Sequence, residues 1–160
     1  MPIQEQKQEE RVSVQSLLVQ ISEHEMLIEQ LRQRLVRECE DFNTVDAFRF
    51  LDVRATGEIT KEELMFGLSE VILANFSEPD VDLFLARFSK DGKQTLKYSE
   101  FCDAFKPKSQ SVLSELVARQ PKNIRMQISY MDLFADNTKE LFCEIWEALF
   151  DTEAQIEVTR

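Results

Sequence analysis

Two twelve-residue stretches place oxygen-bearing side chains at spaced positions and close on a glutamate. The first, Asp52 to Glu63, carries Asp52, Thr56, Glu58, Thr60 and Glu63; the second, Ser89 to Glu100, carries Ser89, Asp91 and Glu100. Spaced oxygens around a tight turn suit a hard cation such as calcium, which gathers carboxylate, hydroxyl and carbonyl ligands. Both stretches also hold cations of their own, Arg54 in the first and Lys93 and Lys97 in the second. Other chemistry is poorly supplied. His24 is the only histidine, so no His-based triad, acid/base pair or His-pair metal site can be assembled. Three glycines are too few for a phosphate-cradling loop.

Apolar helical segments must position these stretches. Phe42, Val45, Phe48, Phe50 and Leu51 precede the first, and Leu64, Met65, Leu68, Val71 and Ile72, between Lys61 and about Ala74, follow it. Val81, Leu83, Phe84, Leu85 and Phe88 precede the second, and Phe101, Cys102 and Phe105 follow it. Asn43 can cap the first helix with Asp46 placed to reciprocate. Ser77 to Asp80, with Pro79 in the first turn, marks the start of the third, and Pro107 stops the fourth.

Helix, twelve-residue loop and helix, twice over residues 42 to 106, resemble an EF-hand pair. In such a loop, ligands come from positions 1, 3, 5, 7, 9 and 12, with glycine at 6 and an aliphatic residue at 8. Ile59 and Leu96 at position 8 fix the register. The first loop then has Asp52, Arg54, Thr56, Gly57, Thr60 and Glu63 at 1, 3, 5, 6, 9 and 12. The second has Ser89, Asp91, Lys93, Gln94, Lys97 and Glu100 there. A cation about 4 Å from a divalent ion, at an effective dielectric near 20, repels it by about 8 kcal/mol. Micromolar affinity is worth only about 8 kcal/mol in all. Arg54 or Lys93 could swing into water, yet each loop would still lack the carboxylate it replaced.

Both loops are therefore expected to be calcium-free, with no metal or cofactor, and Asp52, Glu63, Asp91 and Glu100 to be vestigial. Glu63 and Glu100 should cap helices or pair with Lys and Arg. Asp52 and Arg54 should make the cross-loop contact that substitutes for the ion. Ile59 and Leu96 should pair as a short strand bridge.

From Val12 to Glu40, Val14, Leu17, Ile21, Ile28, Leu31 and Leu35 fall at heptad a and d positions, with His24 filling the remaining one. Leu18, Met26, Leu27 and Val36 widen that seam. Ser111 to Arg119 reads as a short amphipathic helix, and 123–134 alternates imperfectly, as an extended stretch would. Asn137 to Glu140 is a capping-box signature opening a final helix. Shifted by 128 residues, Val14, Leu17, Ile21 and Ile28 fall on Phe142, Ile145, Leu149 and Ile156, and E-x-x-I-E-x-x-R occurs at both ends. Either the two seams pack on each other or each, with Trp146, offers a face to another chain. Trp146 and Phe150 at helical spacing read as core more readily than as partner anchors. The chain is thus read as all-α: a long helix over 1–41, the paired units over 42–106, and a helical segment over 107–160.

At 160 residues, 43% hydrophobic and 31% charged, the chain should be globular, and Cys39, Cys102 and Cys143 are too far apart for a disulfide or zinc framework. No stretch is apolar enough to span a membrane or direct secretion, so a cytoplasmic address is expected. A net charge of −11 argues against nucleic acid and anionic lipid and leaves basic protein partners open. The phrase Asp46 to Asp52 (DAFRFLD) and the E-x-x-I-E-x-x-R helices resemble EF-hand cytoskeletal proteins of ciliated protists. That resemblance implies a cytoskeletal, ciliary or axonemal adaptor that is not an enzyme and clasps partner helices in its groove and on its terminal seams. The alternatives are a weakly calcium- or magnesium-responsive subunit using Asp52, Glu58 and Glu63, and a stabilising subunit of an enzyme or motor complex.

Overall fold

The computed structural model describes residues 3–122 and 134–158, with side chains from Val14 onward. The extended stretch expected over 123–134 lies outside the described residues, apart from Phe134. The order is α1 (Ile3–Glu38), α2 (Thr44–Leu51), β1 (Glu58–Thr60), α3 (Lys61–Phe66), a π-turn (Gly67–Val71), α4 (Glu78–Phe88), β2 (Thr95–Lys97), α5 (Tyr98–Phe105), α6 (Gln110–Val117) and α7 (Asp136–Val158). The class is all-α. Two helix-loop-helix units are joined by a two-stranded antiparallel bridge in which Ile59 faces Leu96.

Local signals account for most helix starts. Asn43 Oδ1 accepts from the amides of Val45 and Asp46. Asp46 does not reciprocate as expected; its carboxylate accepts instead from the Lys122 amide, 3.1 Å from both oxygens. That tie holds the far end of α6 against α2. Thr60 and Glu63 form a full capping box at α3, and the Ser77 hydroxyl and amide both donate to Asp80 at α4.

The helix expected from Lys61 to Ala74 widens into a π-turn at Gly67. A Cβ there would lie 2.5 Å from Leu51 Cδ2, so a larger residue would require the buried Leu51 side chain to shift. The segment ends with Leu73 at φ 57 and the Ala74 amide donating to Leu68 O at 2.9 Å.

The terminal helices pack on each other. Thr138 Oγ1 donates to Asp41 Oδ1 at 2.6 Å and the Ala135 amide to Asp41 Oδ2 at 2.8 Å, so α7 begins beside the end of α1 and runs back along it. α1 has 36 residues and α7 has 23. At about 1.5 Å per residue, α1 therefore extends roughly 20 Å beyond α7. Burial follows that geometry: Ile28, Leu31 and Leu35 are core, Leu17, Ile21 and His24 are half-buried, and Val14 and Leu18 are exposed.

α6 lies parallel to the end of α1, and each closes the other. Glu29 on α1 accepts from the Lys108 and Ser109 amides at the start of α6. Arg119, just past α6, donates to the carbonyls of Val36, Cys39 and Phe42 at the end of α1. Both contacts put the charge sign that the helix dipole favours at each end. Three residues beyond Glu29, Arg32 is 3% exposed and donates through Nε to Ala104 O at 2.8 Å, closing α5. Burial pushes the Arg32 guanidinium below its usual range, against the opposing pull of Glu29 and Glu25. Burial pushes Glu29 up, but its hydrogen bonds from Gln33, Lys108 and Ser109 and the Arg32 charge hold it lower than usual.

Candidate functional site

The two loops meet across the strand bridge, which places their position-8 residues opposite each other as the spacing predicts. In the first loop the carboxylate oxygens of Asp52 and Glu63 and the Glu58 carbonyl are turned to donors of the same loop. Asp52 Oδ1 accepts from the Thr56 amide at 3.2 Å, and Oδ2 from the Gly57 amide at 2.9 Å. Gly57, at φ 87, supplies the left-handed turn this needs. The Glu58 carbonyl accepts from the Thr56 hydroxyl at 2.9 Å. Glu63 is 5% exposed; Oε1 accepts from the Thr60 amide and hydroxyl, and Oε2 from the Arg54 amide at 3.0 Å. Burial raises the Glu63 pKa, but those hydrogen bonds and the nearby Arg54 charge outweigh it and hold the carboxyl below its ordinary value. The expected contact between Asp52 and the Arg54 side chain is not the one that forms, because the amides of Thr56 and Gly57 are closer and already fixed by the turn.

The second loop carries its own cation. Lys97 Nζ lies 2.9 Å from Asp91 Oδ2 and 4.0 Å from Glu58 Oε1 of the first loop, its cross-strand neighbour. Asp91 Oδ1 also accepts from the Lys93 amide at 3.1 Å and the Ser89 hydroxyl at 3.3 Å. The Lys97 hydrogen bond, with the Lys93 amide, lowers the Asp91 carboxyl to about 2. Asp91 in turn raises the Lys97 ammonium. Glu100, 2% exposed, accepts from the Lys97 amide at 2.9 Å and the Lys90 amide at 2.6 Å. Glu63 and Glu100 thus hold each loop to the start of the helix that follows, the capping role expected of them. Gln94 takes the position-6 turn at φ 57, where an L side chain is strained. Among the described residues no three His, Cys, Asp or Glu side chains form a metal-holding group.

The groove between the units is filled from within. Trp146 of α7 is fully buried, with ring centroids 4.8 Å from Phe84 and 4.7 Å from Phe105. Phe142 lies 5.0 Å from Phe105, and Phe150 6.0 Å from Phe84. Ile145 and Leu149 are also core, while Ile156 near the end of α7 is half-buried. The partner helix expected in this groove is therefore replaced by the chain's own α7, and Ile28, Leu31, Leu35, Phe142, Ile145, Trp146 and Leu149 are spent on the internal core. What the α1 seam leaves outside is Val14, Leu17, Leu18, Ile21 and His24.

The three thiols are free, and Cys39 is buried. Burial and the neighbouring Glu147 carboxylate push Cys143 up to about 11, so it stays a thiol at neutral pH. Sequence reasoning missed the caps made by Glu29, Arg32 and Arg119. For the first two the E-x-x-R spacing was the available signal. The later copy of that motif is used differently: Glu153 pairs with Arg87 at 3.6 Å, and Arg160 lies outside the described residues.

Among the described residues no helix is long and apolar enough to cross a membrane. No family model matches the chain, and no solved structure matches it. Among curated proteins, Calcium-dependent protein kinase 8 of Arabidopsis thaliana is similar, 36% identical over 56 residues, which is 35% of this chain and 10% of the kinase. The similarity thus spans about a tenth of that kinase's length.

Proposed function

We propose that the chain is a degenerate EF-hand pair acting as a non-enzymatic, calcium-independent adaptor for protein partners. The observation that carries this is the Lys97 ammonium, 2.9 Å from Asp91 and 4.0 Å from Glu58, which sets a cation of the chain's own against carboxylates of both loops. With loop oxygens engaged by local donors and α7 seated in the groove, the unit has one packed state, and partner binding falls to its outer faces. The outer stretch of α1, with exposed Val14 and Leu18 and half-buried Leu17 and Ile21 on one side, is such a face. The resemblance to protist proteins is what supports a cytoskeletal assembly, ciliary or axonemal, as the adaptor's setting, and a fluorescent tag in a ciliated cell tests it.

Calorimetric titration with millimolar calcium tests the calcium-independent part. The expected result is no loop-specific heat; a micromolar site in either loop overturns it. Cross-linking of the native complex names the partner. Leu17→Glu with Ile21→Glu is expected to abolish its retention, whereas Leu31, being core, is unsuitable for the test.

A second reading, a weakly calcium- or magnesium-responsive subunit, is favoured by the surviving Asp52, Gly57 and Glu63 and by the similarity to a calcium-dependent kinase. The same titration separates the two.

A further inference from the structure

The π-turn carries an exposed surface that the core does not use. Phe66, immediately before it, is 55% exposed, and Leu73, two residues past its end, is 75% exposed. Leu73 also holds φ 57, the left-handed region that a leucine enters only under strain and a glycine enters freely. That turn lets the Ala74 amide close the helix end on Leu68 O, but the Leu73 side chain itself is left in solvent. Strain of that kind is a reason to look for a partner.

Charge indicates which partner. Glu62 and Glu70 stand four residues either side of Phe66, so they share its row on the helix surface. The wider i→i+5 turn after Gly67 brings Glu70 more nearly in line with Phe66 than an α-turn would. Both glutamates are exposed, and neither has an ion-pair partner among the described residues. By contrast Lys61, next to Glu62, is already held by Glu78 at 2.7 Å and Asp82 at 2.8 Å, so it does not neutralise the row. The face is an aromatic ring bracketed by two free carboxylates, and the chain leaves it through a second exposed apolar residue, Leu73.

We propose that the row Glu62, Phe66 and Glu70, with Leu73, is a docking surface for a basic amphipathic helix of another protein. The helix lays an apolar side chain on Phe66 and Leu73 and sets a lysine or arginine against each glutamate. This surface is separate from the α1 seam. It rests on the adaptor reading only in taking the chain to bind protein, and the variants below leave unchanged the α1 seam residues and the loop residues Asp52, Glu63, Asp91, Lys97 and Glu100.

The test is fluorescence anisotropy of the full chain with a labelled leucine/lysine peptide of helical spacing, beside a twin with glutamate replacing lysine, at about 0.15 M salt. Glu62→Lys with Glu70→Lys is expected to weaken the basic peptide by at least about tenfold, as are Phe66→Ser and Leu73→Gly. Glu23→Lys with Glu144→Lys, the same charge change at other exposed sites, should stay within about twofold. Circular dichroism checks the fold; should Phe66→Ser unfold, the exposed glutamate pair decides. Three results overturn the proposal: equal loss in the control pair, which makes binding a bulk-charge effect; equal binding of the acidic twin; or wild-type dimerisation in sedimentation that Phe66→Ser abolishes, which makes a second copy the occupant.

Discussion

Arg119 meets the Val36 carbonyl at 2.6 Å, and with two further bonds to Cys39 and Phe42 it closes the end of a helix more than eighty residues upstream. These are charge-assisted bonds to carbonyls at a helix end, and the Cys39 carbonyl also accepts from the Phe42 amide at 3.2 Å. Arg119→Ala is expected to cost about 3 kcal/mol in urea unfolding. Arg119→Lys should recover only part of it, because an ammonium cannot reproduce the planar fork.

Glu63 makes stability depend on acid. Its carboxyl titrates below the ordinary value of 4.5 in the folded chain, so its contribution is complete above that pH and is lost as pH falls through the folded value. Urea midpoints measured from neutral pH downward should fall more steeply below about 4.5 for the wild type than for Glu63→Gln.

Gln94 occupies a left-handed turn, with its side chain in solvent. Gln94→Gly removes the strain and gives back part of the gain through a freer unfolded chain. The net expectation is a stabilisation of about 0.5–1 kcal/mol, read as a raised thermal midpoint.

Restoring oxygens should restore an ion. Arg54→Asp with Thr56→Asp removes the cation at position 3 and the hydroxyl that covers the Glu58 carbonyl, and leaves Asp52, Gly57 and Glu63 in place. Calcium titration of this variant should reveal a site tighter than about 0.1 mM.

Trp146 reports on the filled groove. Trp146→Ala should cost about 3–5 kcal/mol. The wild-type indole, fully buried against Phe84 and Phe105, should emit in the blue and stay unchanged on calcium addition.

What could be read from residue types was what short-range chemistry determines. Ile59 and Leu96 face each other because the loop length and closing glutamate set their register, and Glu63 caps at short range for the same reason. The heptad of α1 stated that an apolar partner was needed but not which one, since any complementary stripe satisfies it. That α7 fills the groove, that Asp46 turns to Lys122, and that Glu29 closes α6 depend on where distant segments fold back. The π-turn escaped because nothing in the residue types of 61–74 marks it, and the close approach of Gly67 to Leu51 is a contact between two helices.

The antiparallel run of α7 along α1 also decides how the molecule carries load. A pull on the protruding tip of α1 along its axis reaches the body as sliding between two long helices. Resisting it are the buried Ile28, Leu31 and Leu35 of α1 and the bonds of Glu29, Arg32 and Arg119, which share the shear along the helix. The tip is a handle, and the packed core behind it is its anchorage.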